Sequence, residues 1–416
     1  MPTARPGLLR ATLTLLAGGA LAQALPLLLG PWIARLFTPE QFGTYTTFWT
    51  LAGNLAVVAC LRYEFALPME RDEAGAATLL ALCLRLWLVM VAFSAVLGGV
   101  MWTVGRLSLG PWLPAAVAAL GACQLFTMWA NRDERFGTLA ASRVVQHGGG
   151  AAGQLLAGSG LAGLPATAAG LAVAPIVAAV AASAMLARPP AAGWGAAWQQ
   201  SAAALRAMAR KHREFPLFNA PHAFAGALQD TLAVLLLAAW AGDAAVGFWG
   251  LALRYLKAPA TLVGGAVSQA LYPRLAASTD AAHGRATVRQ VMGLLALVAL
   301  PLAALLLIGG PELFAWVFGE RWRGAGELSR ALAPYIALHF VASPLAVVTM
   351  AWRAQGWALR LALVGQGLFL VALALGLQLG GLIGAAWAVS AAMAGYFGWY
   401  FWRLATWQEV PDAARP

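Results

Sequence analysis

The sequence predicts an all-α integral membrane protein of about twelve transmembrane helices in two pseudo-symmetric six-helix bundles. Composition and run length carry that expectation. Of 416 residues, 61% are hydrophobic and only 10% charged, and the mean hydropathy is +0.73; a soluble domain carries about 25% charged residues. Crossing roughly 30 Å of hydrocarbon takes about 20 consecutive apolar residues in a helix, and such runs follow one another along nearly the whole chain. They do not alternate in polarity over segments of about ten residues, as the strands of a membrane barrel would. The 45 glycines suit helices packed in lipid, where small side chains let backbones approach.

In order, the spans are expected at 10–31, 43–62, 77–104, 111–130, 138–159, 164–187, 218–241, 245–272, 288–308, 328–350, 357–378 and 381–405. The start, MPTARPGLLRATLTLLAGGALAQALPLLLG, is basic and then apolar, but the run reads on to Pro31 without an A-x-A-like cleavage site. It is expected to stay as the first helix. Orientation follows from Arg and Lys in the loops. With the amino terminus cytoplasmic, the inside segments hold Arg5, Arg10, Arg62, Arg71, Arg132, Arg135, Arg143, Arg188, Arg206, Arg210, Lys211, Arg213, Arg274, Arg285, Arg289, Arg353, Arg360, Arg403 and Arg415. The outside segments hold only Arg35, Arg106, Arg321, Arg323 and Arg330. Both termini are therefore expected in the cytoplasm.

The longest inside connection opens with a Pro189–Pro190 pair, which cannot extend a helix. Further on, Trp198, Leu205 and Met208 fit an apolar stripe beside Arg206, Arg210 and Arg213, as in an interfacial amphipathic helix. The expected organisation is an N-terminal bundle over 1–187, a cytoplasmic linker over 188–217 and a C-terminal bundle over 218–416. The bundles look like copies: PEQFGTYTTFW at 39–49 lies over DAAVGFWGLAL at 243–253, with Gly43 on Gly247 and Tyr45 on Trp249. Parallel repeats of this kind bind their cargo at the interface between halves.

A net charge of +11 and a pI near 10.4 could suit nucleic acid, but no basic domain presents the charge. Topology and an anionic ligand account for it better. Cys60, Cys83 and Cys123 lie in apolar runs without metal-like spacing, so no metal or cofactor is expected. Arg85, Arg254, Lys257 and Asp230 fall inside apolar spans. A charge at that depth costs at least about 2.5 to 3.5 kcal/mol on insertion scales and persists where it faces water, a partner or a ligand.

Local strings carry a family resemblance. GGALAQALPLLLGPWIARLFTPEQFGTYTTFWTLAGNLAVVACLRYEFALPMERDEAGA resembles the opening of the Wzx-type oligosaccharide flippases, of the multidrug/oligosaccharidyl-lipid/polysaccharide exporter superfamily. HREFPLFNAP, VGFWGLALRYLKAPATLVGGAVSQALYPRLA and LFAWVFGERWRGAGELSRALAPYIALHFVASPL resemble second-half signatures of the same family. The resemblance covers essentially the whole chain. It implies a V-shaped, twelve-helix transporter that moves an undecaprenyl-diphosphate-linked oligosaccharide across the bacterial inner membrane by alternating access, with a cationic lumen and H+ or Na+ coupling. It also implies a role in O-antigen or lipopolysaccharide biosynthesis, with polymerase and chain-length proteins as possible partners of a monomer.

Each charged position then has two readings. Arg254 and Lys257, three apart, share a helix face roughly 14 to 18 Å deep in the eighth span. They either hold the diphosphate, Arg as a planar fork and Lys as a compact charge, or pair with Asp230. Arg85, roughly 12 Å into the third span, lines the cavity or snorkels to the headgroups. Arg62 and Glu64, in LRYEFALP, are interfacial anchors or an inner gate whose partner region holds Arg274. Arg143, Gln146 and His147 fall on one face of the fifth span, which adds Arg143 to the cationic set. His147, His339 and Asp230 are the candidates for ion coupling, histidine titrating near neutral pH. In the outside loop, Trp322 is an interfacial aromatic or a platform for sugar.

Two other functions are weaker fits. A polysaccharide polymerase needs acid, base or nucleophile groups gathered around the reacting bond, and the longest outside loop offers only glutamates beside arginines. A drug or organic-cation exporter would favour an acidic aromatic cavity, and here the buried charges are mostly positive. Peptidoglycan-precursor flippases typically carry fourteen helices rather than twelve.

Overall fold

The computed structural model describes residues 6–160, 166–190, 193–276, 281–352 and 354–407, which are helical with no strand among them. Arg5, Arg353 and Arg415 of the topology argument lie outside the described residues. The helices are α1 (Pro6–Leu36), α2 (Pro39–Val57), α3 (Glu73–Thr103), α4 (Leu113–Arg132), α5 (Phe136–Val144), α6 (Gly150–Gly158), α7 (Ala168–Leu186), α8 (Gly193–Trp198), α9 (Ala202–Lys211), α10 (Ala220–Trp240), α11 (Gly242–Leu256), α12 (Ala258–Ala276), α13 (Ala281–Phe318), α14 (Arg323–Ala351) and α15 (Gln355–Ala405).

All twelve expected spans fall on these helices, and the differences have local causes. The fifth span is α5 and α6 joined by a π-helical turn over Val145–Gly149, where three successive glycines end the stretch VQHGGG. The eighth is α11 and α12, broken at Lys257; Pro259 in the first turn of α12 lacks the N–H that an unbroken helix would use. α15 holds the last two spans, which turn at Gly380 and Gly381, the latter with φ +60°. Among the described residues, eight helical segments are long and apolar enough to cross a membrane by themselves. The others carry polar residues, as α2 does with Thr44, Thr46, Thr47 and Asn54, or are interrupted as just described.

Helix starts follow side-chain chemistry. Thr38 and Gln41 form a reciprocal capping box ahead of α2, the Gln41 N–H donating to Thr38 Oγ1 at 3.3 Å and the Thr38 N–H to Gln41 Oε1 at 2.9 Å. Asp72 Oδ2 accepts from the Gly75 N–H at 2.7 Å and caps α3. Thr167 and Ser201 do the same for α7 and α9.

The chain divides into two compact units, Met1–Val234 and Leu235–Pro416, so the linker and the first part of α10 pack with the first unit. There, Phe48, Ala52, Leu113, Val117, Ala172 and Ala179 form a core shared by α2, α4 and α7. In the second unit α14 is central, burying Leu328, Leu332, Ile336, Phe340, Leu345 and Val348. Hairpins in both units close on glycine. A Cβ at Gly98 would strike the Gly110 carbonyl and the reverse holds, and Gly310 and Gly326 stand in the same relation between α13 and α14. The third–fourth and ninth–tenth spans thus share one device, a structural echo of the repeat.

The linker does not lie free. Leu205 of α9 is buried against Ala81 and Leu82 of α3, and Trp194 of α8 meets Phe126 edge to face at 6.0 Å. The Tyr63 hydroxyl donates to the Ala209 carbonyl at 3.1 Å. Of the apolar stripe expected to enter lipid, Leu205 and Met208 pack on protein, while Trp198 is exposed together with Arg206, Arg210 and Arg213.

Candidate functional site

In the second unit the cations gather at the broken eighth span. The Lys257 N–H donates to the Leu253 carbonyl at 3.0 Å and closes α11. α12 starts at Ala258, and Thr261 Oγ1 donates back to the Lys257 carbonyl at 3.1 Å. Lys257 so occupies the seam, at the negative end of one helix dipole and the positive start of the next. Arg254, one turn earlier, is half-buried with it. Among the described residues the Lys257 ammonium makes no hydrogen bond or ion pair, although it interacts electrostatically with His339 of α14. Around His339 stand Tyr335 at 5.8 Å and Phe397 at 6.4 Å between ring centroids. Trp249, on α11, packs edge to face against Phe369 at 6.2 Å.

In the first unit a polar cluster lies below α2. Leu61 and Arg62 have φ of +49° and +65°, two successive left-handed residues without glycine, a conformation that costs on the order of 1 kcal/mol or more each. They lead into a 3₁₀ segment, Tyr63–Met69. Arg62 Nε donates to Asn219 Oδ1 at 2.9 Å, and the guanidinium lies 4.0 Å over the Phe65 ring. Glu64 is 1% exposed. Its Oε1 accepts from Gln124 Nε2 at 2.5 Å, and its Oε2 has no partner among the described residues. Burial pushes this carboxyl up from its ordinary range, against a hydrogen bond from its own backbone N–H, the Gln124 bond and the Arg62 charge. Arg62 and Glu64 form no ion pair with each other, and Arg274 is exposed in the last turn of α12.

The remaining candidates are dispersed. Arg85 Nη2 donates to the Trp198 and Gln200 carbonyls at 2.9 and 3.2 Å, so its guanidinium is committed to the linker. The π turn breaks the face expected for the fifth span. Gln146 Oε1 accepts from Cys123 Sγ of α4 at 3.2 Å, while Arg143 and His147 are exposed and Arg143 Nη1 lies beside Gly19 of α1. Asp230 is exposed on α10 and enters no ion pair among the described residues. Trp322 is fully buried against Phe248, ring centroids 6.0 Å apart, which removes it as a platform for sugar. Beside it, Arg323 pairs with Glu320 at 2.5 Å and Glu312 at 3.3 Å.

Three features escaped the sequence reading. Asn54, 4% exposed in the middle of α2, donates to Thr231 Oγ1 at 2.9 Å, and its Oδ1 has no partner among the described residues; an asparagine inside an apolar run was the signal. Glu70 accepts from Lys211 Nζ at 2.6 Å and meets His212 Nε2 at 3.1 Å, and these two donors hold its carboxyl below the usual range. Arg132 joins that corner through the Glu70 carbonyl at 3.1 Å and the Glu73 carboxylate at 2.8 Å. Among the described residues no three His, Cys, Asp or Glu are grouped to hold a metal.

This fold is that of the MOP-superfamily membrane transporters. The chain is similar to an inward-facing MATE family multidrug resistance transporter of that superfamily, with TM-score 0.70 and 15% identity over 92% of this chain and 94% of that one. It is equally similar to the lipid II flippase MurJ in an inward closed conformation, with TM-score 0.70 and 10% identity over 94% and 90%. A MOP superfamily transporter from Pyrococcus furiosus aligns with TM-score 0.56 and 14% identity over 95% of both chains. No curated protein matches the sequence. Residues 32–327 match the family described as polysaccharide biosynthesis protein, and the chain belongs to that family, in accord with its resemblance to Wzx-type flippases.

Proposed function

We propose that the protein flips an undecaprenyl-diphosphate-linked oligosaccharide across the bacterial inner membrane by alternating access, with both termini in the cytoplasm. The observation that carries this is the pair of cations three residues apart at a helix break inside a membrane span. Discontinuous spans in transporters place half-helix N-termini against anionic substrate groups. Lys257 supplies a point charge, Arg254 a planar fork that takes two phosphate oxygens at once, and the start of α12 adds its dipole. The glycan is carried by the lipid anchor and needs no reaction at the site, which fits a carrier rather than an enzyme. Membership of a polysaccharide biosynthesis family and the fold shared with MurJ support the lipid-linked class of substrate.

The test is where the substrate stops. In a strain lacking this chain, lipid-linked oligosaccharide is expected to accumulate in the inner leaflet, and the wild-type gene restores surface glycan. Arg254→Ala is expected to insert and accumulate normally yet leave the glycolipid trapped. Normal surface glycan in that variant contradicts the assignment. The organic-cation exporter reading predicts instead an efflux of cationic dyes that the same substitution does not reduce.

A further inference from the structure

Glu64 is a buried carboxylate of the first unit that the reading above does not use and, unlike Glu70, it has no cation bound to it among the described residues. A carboxylate removed from water keeps its charge where a cation or several donors hold it. Here the donors are Gln124 Nε2 and the backbone N–H of Glu64 itself, and Oε2 is left without any among the described residues. The neighbouring cation faces elsewhere: Arg62 donates to Asn219 and lies over Phe65. The other groups around the carboxyl bring no positive charge. The Cys60 and Cys83 thiols approach from the end of α2 and from α3. The Tyr63 hydroxyl is spent on the Ala209 carbonyl, and Lys211 and His212 of the linker are held by Glu70.

We infer that the Glu64 carboxyl is a proton-binding site whose occupancy is set by the Arg62–Asn219 contact. The step is the simplest one: a proton adds to Oε2 and no other bond changes. While Arg62 holds Asn219, the carboxyl stays neutral. Asn219 ends the π-helical turn Phe215–Asn219 that leads into α10, and Arg62 itself sits in a strained left-handed conformation. Movement of either releases the guanidinium, which then turns to the carboxylate and expels the proton. A motion of α10 is thereby tied to proton release at the foot of α2. Transport gives the site its purpose, but its existence does not depend on what is carried.

The experiment uses the purified full-length protein in lipid nanodiscs, without glycolipid, so its outcome is separate from that of the transport reading. Infrared difference spectra across a pH titration report protonated carboxyl groups directly. Wild type is expected to show such a band at neutral pH that Glu64→Gln lacks. In Asn219→Ala, an exposed position that leaves Glu64 intact, the band's titration is expected to move down by about one pH unit, a tenfold loss of proton affinity. Arg62→Gln is expected to move it upward. Identical spectra for wild type and Glu64→Gln, or a titration that Asn219→Ala leaves in place, overturn the proposal.

Discussion

A lysine at the seam of two helices has lost the neighbours that usually neutralise a charge in lipid. Lys257 has no counter-ion among the described residues, and with Arg254 one turn away on the same helix the two positive charges suit a diphosphate. Charge and shape can be separated: Arg254→Lys keeps the charge and loses the fork. Export in that variant, normalised to protein in the membrane, is expected to fall between wild type and Arg254→Ala. Asn54 and Thr231 give a second prediction. Thr231→Val leaves the Asn54 amide without its acceptor in a buried place, a loss of about 1 kcal/mol for polar pairs in membranes, whereas Asn54→Leu combined with Thr231→Val should recover much of it. Thermal unfolding of the four proteins of that cycle checks the coupling. Arg254 and Lys257 were legible in the sequence because any charge within an apolar run is conspicuous. Arg85 looked the same, and only the path of a linker more than a hundred residues later shows that its guanidinium has backbone carbonyls to bind. The orphaned oxygen of Glu64 was illegible for a similar reason, since it depends on where Gln124 falls.

Among the elements, the linker shows how a short amphipathic helix can be held by protein rather than by lipid. Its stripe of Trp198, Leu205 and Met208 was visible in the sequence, but a stripe does not say what covers it. Here α3 and the Tyr63–Met69 turn cover Leu205 and Met208, Trp198 stays exposed, and the Glu70 corner locks the far end. The depressed Glu70 carboxyl fixes the sign of its pH dependence. Its contribution is present above the ordinary carboxylate value and is lost as pH falls toward the lower, folded-state value. Glu70→Gln should remove it at neutral pH, by about 1 kcal/mol or less because Lys211 is largely exposed. Limited proteolysis of the 188–215 connection is expected to quicken in that variant, and wild type to approach it only in acid. At the hairpin, Gly98→Ala forces a methyl group into the Gly110 carbonyl, an overpacking that costs about 1 to 3 kcal/mol and should lower the unfolding midpoint in detergent.

Over the whole molecule, twelve apolar runs were enough to place every span, because hydrocarbon demands a continuous helix of fixed length. The turn at Gly380–Gly381 falls where the expected spans 357–378 and 381–405 meet, but the runs could not place the interruptions at Val145–Gly149 and Lys257, since a π turn or a break leaves the average hydropathy of a run unchanged. The Lys257 break is the interruption where the proposed cargo is held. The glycine hairpins repeated in the two units carry the internal duplication better than the alignment of PEQFGTYTTFW with DAAVGFWGLAL did. The central claim, that Arg254 and Lys257 grip a lipid-borne diphosphate, is tested most directly by the affinity of the purified protein for undecaprenyl diphosphate. The account predicts binding at least roughly tenfold weaker in Arg254→Ala/Lys257→Ala, a loss of about 1.4 kcal/mol or more, with folding intact. Equal affinity in the wild type and the double variant would contradict it.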